Sequence, residues 1–355
     1  MSFGSFQSIC ETTPIPLCSL VGPYNSPKTS IGPGIEALCY SRSIEWANTM
    51  IFQAANDFVH ILALVMCSIM VLHVRSKFTA VGKFPLFDPL PKLGRKEITS
   101  FFYLFMLLTV ISLCLDSGVI PIGSSPYAYF VAVQAGLSSA LCTCLLINGF
   151  IGFQVYEDGT ALSVWLLRLC SLVMFLVTGG VAICTFQSWA GLDPTNTMPL
   201  FIVLYIVNAL FLFVYVTCQV ILVVGTLGDR WPMGDITFGV FFFVVGQVML
   251  YVFSRKICDE VYHYLDGLFF ASICNLLGVM MVYKYWDSIT KEDLEFSVGT
   301  KTNVWEVKDL LPEEDRRTTV YEHQGPQSEY ATSTYHSNGG SGRVSQGYGG
   351  FSDRY

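Results

Sequence analysis

Long apolar runs dominate the chain, and they show no two-residue alternation. Seven of them reach the roughly 20 residues a helix needs to cross a bilayer. They lie at about 49–74, 98–120, 127–153, 161–186, 199–224, 234–253 and 264–286. Strands of a membrane barrel would instead alternate over segments of ~10 residues. The pattern predicts an all-α polytopic membrane protein, a bundle of seven transmembrane helices. Residues 1–48 precede it and lack the basic start and apolar core of a signal peptide. Residues 287–355 follow it as a tail. From about residue 300 the tail turns acidic (Glu313, Glu314, Asp315) and then rich in Gly, Ser and Tyr. Such a composition buries no core, so disorder is expected there.

Composition agrees with this division. Hydrophobic residues make up 52% and charged residues 13%, where soluble chains carry roughly 25% charged. The stretch 98–228 holds only Asp116, Glu157, Asp158, Arg168 and Asp193 as charges, too few for a water-exposed surface. A net charge of −7 without a long Lys/Arg run excludes a nucleic-acid partner. Positive charge then orients the bundle. The loop between the first two spans carries Arg75, Lys77, Lys83, Lys92, Arg95 and Lys96, whereas the tail before the first span has only Arg42 close by. Arg255 and Lys256 run against the trend, but the balance predicts a lumenal N-terminus and a cytosolic C-terminal tail. Cys10, Cys18, Cys39 and Cys258 lie outside the spans, and this orientation places all four on the oxidising lumenal side. Four thiols allow three pairings. Nearness in sequence favours Cys10–Cys18 with Cys39–Cys258; four unpaired thiols are the alternative.

Polar groups within spans are functional candidates by default. Helical periodicity puts Gln53, Asn56, Asp57 and His60 on one face of the first helix. Asp116 lies near the lumenal end of the second helix, and His263 and Asp266 are expected on one face at the start of the seventh. All of them fall at the lumenal level. They read as a polar cavity, a proton relay or a metal site, or as interhelical hydrogen bonding near the headgroups. The last is the ordinary outcome, because polar groups at helix ends are tolerated better than central ones. His60, Asp116 and His263 form a fragment of the zinc-binding set of seven-helix amide hydrolases, but no second His stands one turn beyond His263. No HExxH, CxxC, nucleophile elbow or phosphate loop occurs, so no motif calls for a metal or other cofactor. Arg168 can snorkel to the cytosolic face and meet Glu157 or Asp158. Ala132, Gly136 and Ala140, spaced by four, would let helices approach closely.

Several strings go beyond composition. They include Phe3-Gly4 with Cys10 and Cys18, and His73-Val74-Arg75-Ser76-Lys77-Phe78-Thr79-Ala80-Val81-Gly82. Others are Gly149-Phe150-Ile151-Gly152-Phe153-Gln154 leading to Glu157-Asp158-Gly159-Thr160, Asp229-Arg230-Trp231-Pro232, and His263-Tyr264-Leu265-Asp266-Gly267. The last runs from Tyr283-Lys284-Tyr285-Trp286-Asp287 to Glu292-Asp293-Leu294-Glu295-Phe296. In these strings the chain resembles the fungal chitin synthase export chaperone family over about residues 1–300. The family pattern runs from Gly82 directly to Arg95, so residues 83–94, with three prolines, depart from it. They read as an insertion in the cytosolic loop or as an error in the gene model. The resemblance implies a multi-pass protein of the endoplasmic-reticulum membrane, without enzyme activity, that helps a chitin synthase to fold and leave for the cell surface, supporting cell-wall chitin. Its partners would be the synthase and coat components of export, with Asp293 and Glu295 as a candidate acid–x–acid export motif. Two alternatives are a seven-helix receptor for a small ligand and an intramembrane zinc hydrolase.

Overall fold

A computed structural model describes residues 4–22, 34–46, 48–81, 95–153, 161–189, 191–226 and 230–310. It begins with a short helix α1 (Gln7–Thr12) and a 3-10 turn at Pro16–Ser19. Strands β1 (Ile44–Trp46) and β2 (Thr49–Ile51) then pair antiparallel, with Ile44 opposite Ile51. The helices follow: α2 (Ala54–Val81), α3 (Arg95–Asp116), α4 (Tyr127–Ile151), α5 (Ala161–Phe186), α6 (Met198–Phe201), α7 (Asn208–Thr226), α8 (Trp231–Val248), α9 (Ser254–Glu260) and α10 (Gly267–Leu310). A π-helical turn, Ile202–Val207, joins α6 to α7 in one span, and another, Met249–Phe253, joins α8 to α9. Among the described residues, seven helices are long and apolar enough to cross a membrane, as the hydrophobic pattern predicts.

Helix α4 is the hub, packing against α3, α5 and α7. Its small residues allow this. A Cβ on Gly136 would stand 2.8 Å from the Phe175 carbonyl oxygen of α5. The core has two halves. One gathers Cys67, Val74, Phe101, Phe102 and Leu167 at the end of the bundle where α2 finishes. The other gathers Leu115, Tyr127, Val131 and Leu200 at the opposite pole, together with Phe6, Cys10 and Leu17 of the N-terminal segment.

Several boundaries differ from the apolar runs. Residues 49–51 pair as a strand, so the first span begins at Ala54. The second helix stops at Asp116, before Gly118 at φ +76°. The sixth span continues to Glu260, and the seventh begins at Gly267. A Cβ on Gly267 would stand 2.5 Å from the Met249 carbonyl oxygen, so α10 can start this close to the π turn only with glycine. Residues Met1–Thr290 form one compact unit and Lys291–Tyr355 a second. In the second unit helix is assigned as far as Leu310, where disorder was expected from about residue 300. Lys, Glu, Asp and Leu dominate that stretch, and Pro312 disfavours helix immediately before it. Residues 83–94, 157, 158, 229 and 311–355 lie outside the described residues, as do the side chains of Asp293 and Glu295.

Candidate functional site

The N-terminal segment closes one pole of the bundle. The Cys10–Cys18 disulfide, Cα–Cα 5.4 Å, joins α1 to the 3-10 turn. Buried Phe6 stands edge-on to Phe201, ring centroids 5.8 Å apart. Side chains of the bundle satisfy backbone acceptors of this irregular segment. The Tyr127 hydroxyl donates to the Pro16 carbonyl at 3.1 Å, Gln53 Nε2 to Pro14 at 3.3 Å, and Thr197 Oγ1 to Gly4 at 3.0 Å.

A second disulfide, Cys39–Cys258, ties the segment to α9 with Cα–Cα 6.1 Å. His263 Nδ1 lies 3.2 Å from Cys39 Sγ and 3.6 Å from Cys258 Sγ. The His263 carbonyl accepts the Arg42 N–H at 2.8 Å, and the Arg42 guanidinium lies 5.4 Å from the Tyr264 ring centroid. Among the described residues, Cys39, Cys258 and His263 form the group of ligand atoms within 4.8 Å of one another. Their sulfurs are bonded to each other, and metal ligation needs thiolate, so the oxidised pair is not a metal centre. His60 and Asp116 do not join that group.

The first two spans meet through a carboxylate. Asp116 Oδ2 accepts Asn56 Nδ2 at 2.8 Å and, from the Nε2–H tautomer, His60 at 3.0 Å. Asp57 is buried on the same turn of α2, and its two oxygens have no hydrogen-bond partner among the described residues. Asp266 is fully buried and caps α10: its Oδ1 accepts the Phe269 N–H at 3.1 Å. Burial, with the charge of Asp116, pushes the Asp266 carboxyl above 3.8, while the Phe269 N–H and Ser41 pull the other way.

The expected polar cluster is therefore divided by task. Gln53 holds the N-terminal segment. Asp116 and His60, with Asn56, form a rung between α2 and α3. Asp266 starts the last span. The expectation that His263 and Asp266 share a helix face is corrected: His263 precedes α10 in a left-handed turn with Tyr262, at φ +66° and +53°. That turn breaks the 3.6-residue period, and the imidazole joins the disulfide. Further polar contacts join the helices. Asn208 Nδ2 donates to Ser139 Oγ at 2.9 Å, the Tyr285 hydroxyl to Gln219 Oε1 at 2.6 Å, and Lys284 Nζ lies 3.1 Å from Asp235 Oδ1. Asn208, Gln219, Asp235 and Lys284 all carried the available signal, polar side chains inside apolar runs.

Residues 2–300 match the family model described as Chs7, chitin synthase export chaperone. The chain belongs to this family. It is 66% identical over 335 residues to the chitin synthase export chaperone of Phaeosphaeria nodorum, covering 94% of this chain and 95% of that one. The relative from Coccidioides immitis is 64% identical over 336 residues (95% and 96%), and that from Neurospora crassa 62% over 351 (98% and 93%). On this member of the chaperone family, the string from His263 to Gly267 is the turn and cap that launch the seventh span. The string from Gly4 to Cys18 is the disulfide-braced segment at that pole.

Proposed function

We propose that this protein is a chaperone of the endoplasmic-reticulum membrane that helps a chitin synthase to fold and to leave for the cell surface, and so supports cell-wall chitin. The observation that carries the reading is similarity over nearly the whole chain to proteins named chitin synthase export chaperone. The basic loop between the first two spans favours a lumenal N-terminal segment, the compartment in which disulfides persist. A multi-spanning client whose spans hold polar groups is unstable in lipid until those groups find partners. The Asn56–His60–Asp116 rung and the Gly136 face are already used inside the bundle. Contact with the client falls instead on the fifth and sixth spans, the least buried of the seven, where Phe213, Phe238 and Phe241 face outward. Asp293 and Glu295 serve as the signal read by export coat components. Deleting the gene is expected to hold tagged chitin synthase in the endoplasmic reticulum and to lower wall chitin. Normal delivery of every synthase to the cell surface in the deletion strain overturns the proposal.

A further inference from the structure

At the pole opposite the N-terminal segment, α3, α4 and α5 leave a groove of about 460 Å³, within the ~300–1,000 Å³ of ligand sites. It runs from Ser100 and Arg168 at one end to Leu107 and Phe175 at the other. That is seven residues along each helix, or about 10 Å. Leu104, Leu137 and Leu167 line it, and the outward exposure of Tyr103, Leu107 and Leu172 opens it toward lipid.

One end of this apolar channel is charged. Arg168 is the sole ionised side chain lining it, and it is exposed. It makes no hydrogen bond or ion pair among the described residues. The Arg75 guanidinium lies 5.6 Å from the Tyr103 ring centroid at the same end, and exposed Lys96 stands in the first turn of α3. An arginine inside a span is costly unless it reaches the interface or meets an anion. Basic pockets between helices on the cytosolic side are built for anionic headgroups. A cation at the interface end and aliphatic walls below it fit a ligand that is itself amphipathic.

We propose that this groove is a binding site for an anionic glycerophospholipid of the adjoining leaflet. One acyl chain lies along Leu104, Leu107 and Leu137. The phosphate meets Arg168, with Arg75 and the Tyr103 hydroxyl at the rim.

The test is native mass spectrometry of the full-length protein, titrated with phosphatidylinositol and in parallel with phosphatidylcholine of the same acyl chains. Phosphatidylinositol is expected to bind about tenfold more tightly. Arg168→Gln lowers that preference about fivefold, the ratio equivalent to ~1 kcal/mol per basic residue at a headgroup. Arg168→Lys keeps most of it, and Leu107→Trp, which narrows the groove, weakens both lipids. Equal binding of the two lipids, or an unchanged preference in Arg168→Gln, overturns the proposal. If Arg168→Gln keeps its lipid preference but no longer retains the synthase in a pull-down, the groove is a client contact instead. Lipid binding is read without the synthase, so its outcome is separate from that of the chaperone reading.

Discussion

Asp116 accepts two hydrogen bonds from one neighbouring helix, so its loss strands both donors in a sheltered site. Asp116→Ala is expected to destabilise the protein by about 1–3 kcal/mol, the cost of unpaired buried polar groups. Asp116→Asn, which keeps an acceptor oxygen, costs less. Thermal melting in detergent checks the order. Asp266 makes a pH-dependent contribution. Its folded carboxyl holds a proton to higher pH than the ordinary 3.8. The folded state therefore binds more protons than the unfolded one between those two values, and stability from this group falls as pH rises through that window. Asp266→Asn keeps the helix cap and flattens the slope; equal slopes in melting temperature against pH would contradict this. Both aspartates stand out in the sequence as acids at the ends of apolar runs. Their partners do not, because a hydrogen bond between Asn56 and Asp116 depends on how α2 and α3 pack.

Among the elements, the α4–α5 interface has the clearest sequence signature. Ala132, Gly136 and Ala140 announce a close helix contact, and Gly136 faces a carbonyl that cannot move aside. Gly136→Val is expected to cost about 1–3 kcal/mol by overpacking and to lower the yield of monodisperse protein in size-exclusion chromatography. The two π turns are a different case. Each places an extra residue in the helical ladder, and together they bring the Tyr205 and Tyr251 hydroxyls to 3.1 Å. Their residues are as apolar as those of the flanking helix, so no compositional change marks them. The β-hairpin is hidden for a related reason. Thr49-Met50-Ile51 continues an apolar run, and its pairing with Ile44–Trp46 interrupts the helix.

Across the whole molecule, the Cys39–Cys258 bond ties the N-terminal segment to the last lumenal turn. It spans 219 residues, against 8 for Cys10–Cys18. Closing a longer loop removes more entropy from the unfolded chain. The Cys39→Ser/Cys258→Ser double variant should therefore lose more stability than Cys10→Ser/Cys18→Ser, within the typical loss of about 2–4 kcal/mol. Comparing the two melting temperatures under non-reducing conditions checks it. The same bond brings His263 beside the disulfide and ties the segment to the lumenal end of the sixth span.

Membrane class, span number and family could all be read from the chain alone. Transfer of apolar surface into lipid depends on local composition, and motif strings are linear. The division of the polar residues among a contact with the N-terminal segment, an interhelical rung, a helix cap and a disulfide neighbour could not. Those roles rest on contacts such as His60 with Asp116, 56 positions apart, and Cys39 with His263, 224 apart. They exist once the helices pack and the N-terminal segment folds back over their ends, because hydrogen bonds are short-ranged and sequence distance says nothing about which donor meets which acceptor.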